Sequence, residues 1–406
     1  MEYPNITVIG KSGSAFYLET VIMHEVGHNW FYGILGSNER VHPWMDEGLN
    51  SFNENRYIET KYPDANIAGD NRFNKVLKIF DMDQYLHKEQ YYIGYQIGAR
   101  KNLDQPIELS SEKYTYTNYG TIVYGKSALS FDYLMAYLGE ETMDRVMRKY
   151  YDTWKFKHPQ PEDFRKTAEE ESGKDLSWFF DGMINSTKKL DYKILSAKNE
   201  TGNYKVKVKN KGEIAGPFSV SALKGDSIIF TRWYEPMDGK AILEFPAGDY
   251  DKFRIDEQLD IPEIRRKNNT LKTRGAFKKC EPLRLQFLGS IENPDRTQLY
   301  WSPLIGWNNN DKTMLGLSFH NYHDTFKQLP RLYTWIQPQP PAEGEPDHGL
   351  GLLAVSEHDR HLDRRARVQS RAELAGKPLA QQRGRRLQAA VATEEFGAVG
   401  GEAAAV

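Results

Sequence analysis

The spacing of apolar positions changes twice along the 406 residues, and each change predicts a different kind of structure. From Phe16 to Leu35 apolar side chains fall almost all round a helix (Leu18, Val21, Ile22, Met23, Val26, Trp30, Phe31, Ile34). That pattern predicts a helix buried in a core. Gly33 and Gly36 end it, and His42-Pro43 sets up a second helix over about 44–60 that stops before Pro63. Further helix is expected over 67–102, with Phe73, Val76, Leu77, Ile79 and Phe80 facing inward. Another is expected over about 124–138, closed by Gly139, and another over 143–154. Pro161-Glu162-Asp163 and Asp175 carry the proline and acids of helix starts. Ahead of these, Ile6-Thr7-Val8-Ile9 reads as a short strand with no visible partner, which implies preceding sequence.

At Leu190 the period shortens to two. Tyr192–Leu195, Tyr204–Val208 and Phe218–Ser221 alternate between turn-rich stretches, and regular short strands to about Asp256 predict a small β-sandwich. Lys and Arg accumulate from Arg265 to Lys279, as in a solvated linker. Residues 283–336 carry a second β texture, including Leu299-Tyr300-Trp301 and Met314–Phe319. After about Pro341, Ala, Arg, Gly and Glu dominate, and too little apolar surface remains to fold alone; disorder or an aberrant end is expected there.

Composition narrows the function classes. A net charge of -2 gives no case for nucleic acid. The single Cys280 excludes an intrachain disulfide and has no neighbour at metal-ligand spacing. No stretch of eighteen apolar residues marks a membrane helix. The opening Met1-Glu2-Tyr3-Pro4-Asn5 lacks the basic start and apolar run of a signal peptide.

The chemistry concentrates between His24 and Glu47. In His24-Glu25-Val26-Gly27-His28 the two histidines are four apart, so a helix puts both on one face, where they can share one metal ion. Glu25 lies one step round, within reach of a metal-bound water but not of the metal. Glu47, eighteen residues after His28, can return a carboxylate from the second helix. Two imidazoles, one carboxylate and an open fourth position make a catalytic zinc site for a single ion. Packing alone is a poor account, because burying Glu25 and two imidazoles in an apolar helix is costly without compensation. Asp46 and Asn50, flanking Glu47, are candidate supports for the ligands.

This signature resembles that of the aminopeptidase N-like family of gluzincin metallopeptidases. Trp44-Met45-Asp46-Glu47-Gly48-Leu49 is similar to the family's Trp-Leu-Asn-Glu-Gly-Phe context, and Tyr124-Gly125-Lys126-Ser127-Ala128 to its Tyr-x-Lys-Gly-Ala motif. Met1-Glu2-Tyr3-Pro4-Asn5 resembles the end of its Gly-x-Met-Glu-Asn motif, with Tyr3 in place of asparagine. The resemblance covers about residues 1–260. It implies an α+β fold: a mainly helical, thermolysin-like catalytic domain over 1–189 that lacks most of its leading β-sheet, then a β-sandwich over 190–260. A basic linker (261–282), a β-rich segment (283–340) and the tail (341–406) would follow.

The resemblance also implies roles. His24, His28 and Glu47 would hold zinc, Glu25 would be the general base, and Tyr124, in preference to Tyr114, Tyr116 or Tyr119, would stabilise the oxyanion. Glu2 would bind the substrate's free ammonium, making the protein an aminopeptidase acting on peptides with a free N-terminus. A thermolysin-type endopeptidase and a non-catalytic peptidase-fold scaffold are the alternatives. A chain beginning inside the catalytic domain is expected to bind zinc yet turn over slowly. Residues 283–336, including Pro303–Asn308, look similar to a membrane-barrel-like region of some bacterial relatives. They suggest membrane association there, and the relatives a periplasmic or membrane-associated location.

Overall fold

A computed structural model describes residues 2–3, 6–67, 69, 74–80, 82–308, 312–320, 331–336 and 351–355; the side chains of 2, 74, 76, 308, 312–314, 331–336 and 351–355 lie outside the description. The chain divides into a unit Met1–Leu353 and a unit Ala354–Val406. The first is α+β, with helices to about residue 184 and mostly antiparallel sheets after it, the pair 283–287 and 297–308 being parallel.

The first strands, β1 (Glu2–Tyr3) and β2 (Ile6–Thr7), pair antiparallel, with Glu2 opposite Thr7. The strand expected to lack a partner therefore has one, a two-residue strand too short to read from alternation. Helix α1 (Ala15–Gly27) starts at Ser14, whose hydroxyl accepts the Tyr17 N–H. Helix α2 (Glu47–Lys61) follows a single 3-10 turn, Pro43–Met45. The turn is pinned by Glu108, which accepts the Trp44 indole N–H and pairs with His42 Nδ1, each at 2.6 Å. The two helices cross closely at Gly27, where a Cβ would stand 2.0 Å from Asn50 Oδ1. A side chain at this point would push the helices apart.

Where continuous helix is expected over 67–102, the structure has two short ones, α3 (Asn74–Ile79) and α4 (Glu89–Ala99). Of the expected inward face, Ile79 is exposed, and Phe73 and the Val76 side chain fall outside the described residues. The segment carrying Tyr124 opens as α5 (Tyr116–Asn118), widens into a π-helix (Tyr119–Lys126) and continues as α6 (Ser127–Leu138). Gly139 ends it at φ +86, a conformation other residues rarely adopt. Helices α7 (Glu140–Trp154) and α8 (Pro161–Ser172) follow, the latter opened by a Gln160–Asp163 capping box.

Phe131 on α6 ties these helices together. Its ring centroid lies 5.5–5.9 Å from those of Trp44, Phe52, Phe164 and Phe179, and all five side chains are buried. The same apolar cluster continues into two sheets, one ordered β3-β4-β7 and one β6-β5-β8-β9. Their strands are β3 (Tyr192–Glu200), β4 (Asn203–Asn210), β5 (Phe218–Lys224), β6 (Ser227–Tyr234), β7 (Lys240–Phe245), β8 (Lys252–Ile255) and β9 (Thr270–Lys272). Alternation in β4 buries Tyr204, Val206 and Val208 and exposes the lysines between them. Strand β9 lies inside the stretch expected to be a basic linker, and pairs with β8.

Beyond it, β10 (Leu283–Phe287), β11 (Thr297–Asn308), β12 (Lys312–His320) and β13 (Arg331–Ile336) form a further sheet. Ile305 and Trp307 on β11 and Leu315 on β12 are exposed, whereas Gln286, Gln298, Tyr300 and Ser318 are buried. The tail expected to be disordered lies outside the described residues apart from 351–355.

One expectation fails for a physical reason. The apolar run predicts α1 buried all round, but among its residues only Phe16, Thr20 and Gly27 are buried, while Leu18, Val21, Ile22 and Val26 are exposed. Among the described residues, α2, Tyr62, His87 and Tyr124 meet only part of the α1 surface.

Candidate metal centre

The C-terminal turn of α1 and the N-terminus of α2 bring three donor side chains to one point. His24 Nε2 stands 3.1 Å from Glu47 Oε2, His28 Nε2 stands 3.2 Å from the same oxygen, and the two Nε2 atoms are 3.2 Å apart. These are close to the edges of a tetrahedron with bonds of about 2.0 Å, which measure about 3.3 Å. The donor set therefore fits a zinc-sized ion at three corners, and no other cluster of this kind occurs among the described residues. Helix ends add to the fit. The negative end of α1 favours a cation, and the positive end of α2 favours the Glu47 carboxylate.

Each imidazole is held from behind. His28 Nδ1 is 2.7 Å from Asp46 Oδ1, and His24 Nδ1 is 2.9 Å from Glu54 Oε2. With Nδ1 committed to a carboxylate, Nε2 is the nitrogen left to face a metal. Asn50 donates to the His24 carbonyl at 2.6 Å and so fixes the last turn of α1 to α2. Asp46 and Asn50 thus stand where the sequence suggests. Glu54 escapes the sequence reading, although it lies seven residues after Glu47, two turns along one helix face. Its second oxygen accepts the Tyr91 hydroxyl at 2.9 Å, extending the chain of hydrogen bonds to α4.

The charges of this cluster are mutually determined. Burial opposes protonation of both histidines, yet hydrogen bonds to carboxylates outweigh it. His24, between Glu47 and Glu54, is raised to about 9, and His28, between Asp46 and Glu47, to about 10. Burial likewise opposes ionisation of Glu47, but bonds from His24, His28 and Tyr124 draw it down to about 2. For Asp46 burial prevails and raises it to about 6, against the pull of His28. Two protonated imidazoles around a carboxylate form a positive charge pattern that a divalent cation reproduces once the protons leave.

The tyrosines separate cleanly. The Tyr124 hydroxyl donates to Glu47 Oε1 and its ring lies 5.8 Å from that of His24. Tyr114 donates to the carbonyls of Pro106 and Ile107, and Tyr116 is 98% exposed. Tyr119 packs edge-on against Tyr124 and, with Glu39, Val41, Ser111 and Glu47, lines an adjoining cleft of about 500 Å3. Glu25 is half-buried on α1 beside His24. Of Glu2, only the backbone pairing within β1 is described.

Residues 11–183, which contain the whole cluster, match the peptidase family M1 domain. Over that stretch the chain is similar to peptidase family M1. The M1 region is similar to Aminopeptidase M1-B of Oryza sativa subsp. japonica, with 25% identity over 179 residues, 44% of this chain and 18% of the relative. It is similar to Aminopeptidase 2, mitochondrial, of Saccharomyces cerevisiae, with 24% identity over 189 residues, 46% of this chain and 18% of the relative. A solved structure of Legionella pneumophila aminopeptidase A in complex with aspartic acid aligns at a TM-score of 0.44 and 17% identity, covering 64% of this chain and 28% of that one. The chain thus spans about a fifth of the length of the curated relatives it matches.

Proposed function

We propose that the chain is the metal-binding part of a zinc-dependent aminopeptidase that removes N-terminal residues from peptides. One observation carries this reading: three donor atoms at 3.1–3.2 Å from one another, with a carboxylate behind each imidazole. In this reading His24, His28 and Glu47 hold one Zn2+, which when bound supplies Lewis acidity and a more acidic water. Glu25 accepts the proton of the attacking water and delivers it to the leaving amine. The Tyr124 hydroxyl, which donates to Glu47, turns to the developing oxyanion as negative charge gathers on the substrate. Glu2 pairs with the substrate ammonium and fixes cleavage one residue from the end. The catalytic part is proposed to occupy 1–189, followed by a β-sandwich over 190–260 and the segments after it.

Replacing Glu25 by Gln tests the assignment. Zinc content should be unchanged, and hydrolysis of an aminoacyl-arylamide should fall by about 10²–10⁴-fold, the usual contribution of a positioned acid–base. Turnover equal to that of the parent chain would sink the mechanism. Tyr124 at the cluster favours this reading over a thermolysin-type endopeptidase, which uses a histidine there, and cleavage that persists on N-acetylated peptides would reverse the preference. A membrane contact through the C-terminal sheet has one supporting observation, the exposed Ile305, Trp307 and Leu315. Failure of the chain to bind vesicles would remove it.

A further inference from the structure

The support of the metal cluster reaches beyond α1 and α2 to a third helix. Glu54 holds His24 with one oxygen only: Oε2 stands 2.9 Å from His24 Nδ1, while Oε1 accepts the Tyr91 hydroxyl at 2.9 Å. Glu54 is buried, 6% exposed, so a lost donor at Oε1 is poorly replaced by water. With both oxygens engaged the carboxylate has one orientation; with Oε1 released it can swing off the imidazole. A chain of bonds therefore runs from Tyr91 through Glu54 to His24. The other ring nitrogen of His24 is the donor atom that stands 3.1 Å from Glu47 Oε2.

Tyr91 is itself held in place. It lies in the first turn of α4, and that helix packs against the π-helix that carries Tyr124. A Cβ at Gly125 would stand 3.5 Å from Tyr91 Cδ1, and one at Gly94 would stand 3.4 Å from Thr121 Cγ2. The Tyr91 ring thus lies against the residue next to Tyr124. Burial, and after it the Glu54 carboxylate, raise the Tyr91 phenol well above its usual range, so it keeps its proton and donates. The next residue, Tyr92, leaves the helix in another direction and donates to the Glu263 carbonyl at 2.8 Å.

We propose, on the reading of His24, His28 and Glu47 as zinc ligands, that Tyr91 is a positioning residue of the metal centre. Its hydroxyl fixes the Glu54 carboxylate, which in turn fixes the His24 ring with Nε2 toward the metal. Its ring seats the same support against the helix of Tyr124. A tyrosine that only packed α4 would contribute to stability and nothing to the metal.

The test compares Tyr91→Phe with Tyr92→Phe in the full chain. Each removes one phenol hydroxyl and one hydrogen bond of nearly equal length from adjacent positions of one helix, so a general loosening of α4 affects both alike. Chelator competition reads zinc affinity, the visible spectrum of the Co2+-loaded protein reads ligand geometry, and thermal denaturation reads the fold. Tyr91→Phe should weaken zinc about threefold or more, short of the roughly 10–100-fold usual for a group bonded to the ligand itself, and should alter the Co2+ spectrum. Tyr92→Phe should leave the spectrum unchanged and zinc affinity within about twofold of the parent. In a Glu54→Ala background Tyr91→Phe should have no further effect on zinc, because the path through the carboxylate is gone. Three results would overturn the proposal: parent-like zinc affinity in Tyr91→Phe, equal losses in Tyr91→Phe and Tyr92→Phe, or an undiminished Tyr91→Phe loss in the Glu54→Ala background. A parent chain that takes up no zinc would overturn the metal reading and the proposal together. None of these readouts is turnover, so an absence of peptidase activity bears on the proposed function alone.

Discussion

Glu54→Gln separates two effects that oppose each other at the metal cluster. In the parent chain Glu54 Oε2 holds His24 Nδ1 at 2.9 Å, and Oε1 accepts the Tyr91 hydroxyl. Gln keeps the size and one acceptor but removes the charge behind His24. Losing such a carboxylate typically costs 10–100-fold in metal affinity, or about 1.4–2.7 kcal/mol. Glu54 also stabilises the proton that zinc must displace. With His24 at about 9, its proton lies about two units above neutral pH, so its removal at pH 7 costs about 2.7 kcal/mol. Without the Glu54 charge that cost shrinks. The variant's deficit should therefore be smallest near pH 6.5 and approach its full 10–100-fold only as pH nears 9. Chelator competition at several pH values, with circular dichroism to verify the fold, measures both limits. An affinity within twofold of the parent at pH 9, or a deficit that grows toward acid pH, would refute the reasoning.

Other outcomes follow from the same distances. Because His24 and His28 titrate at about 9 and 10, above the unperturbed imidazole, zinc affinity of the parent chain should rise between pH 6 and 8 by one to two log units per pH unit; a flat profile in chelator competition would contradict protonated ligands. The metal-free ion pairs have the reverse sign: their stabilisation is complete below about pH 6.5 and is lost as pH rises through 9–10, as urea titrations of apo protein should register. Glu263, fully buried and raised by burial to about 8, should make stability fall between pH 4.5 and 8, at up to about 1.4 kcal/mol per unit. Glu263→Gln should flatten that slope, because an amide does not titrate, and Asn269, whose Oδ1 has no partner, can turn to accept from it. Gly27→Ala drives a methyl into Asn50 and should cost about 1–3 kcal/mol in thermal denaturation and weaken zinc as well.

How much of this is legible in the sequence depends on the range of the interaction. His24 and His28 are one helical turn apart, and a helix alone brings their rings together. Glu47 needs only that a second helix start after His42-Pro43, and the Pro43–Met45 turn does start it. Glu54 shares the Glu47 face, but nothing in the spacing says which of several acids on α2 a histidine will take. That choice is set by the crossing of α1 and α2 at Gly27, a tertiary fact. The π-helix around Tyr124 is equally unreadable, since its widened turn has no distinct apolar period. In the sheets, alternation locates β3, β4 and β5, whereas β9 is hidden in a Lys- and Arg-rich stretch because a three-residue edge strand buries only Leu271.

The exposure of α1 shows what periodicity measures. An apolar run on all sides says that a helix would gain from cover on all sides; it does not say which segment supplies that cover. In the described residues α2 covers one side, and Leu18, Val21, Ile22 and Val26 stay exposed on the helix that also carries His24, Glu25 and His28. The metal cluster is insensitive to this, because its supports come from the covered side: Asp46, Asn50 and Glu54 on α2 or its cap, and Tyr91 on α4 behind them. Glu25 instead shares a helix face with Ile22 and Leu18, which stand three and seven residues before it. Binding of metal and orientation of the base therefore rest on different sides of α1. Ile22→Lys, which sets an ammonium one turn from Glu25, should leave zinc affinity within about twofold (less than about 0.4 kcal/mol) while altering turnover. Equal losses in zinc affinity and turnover would show instead that α1 answers as one rigid piece.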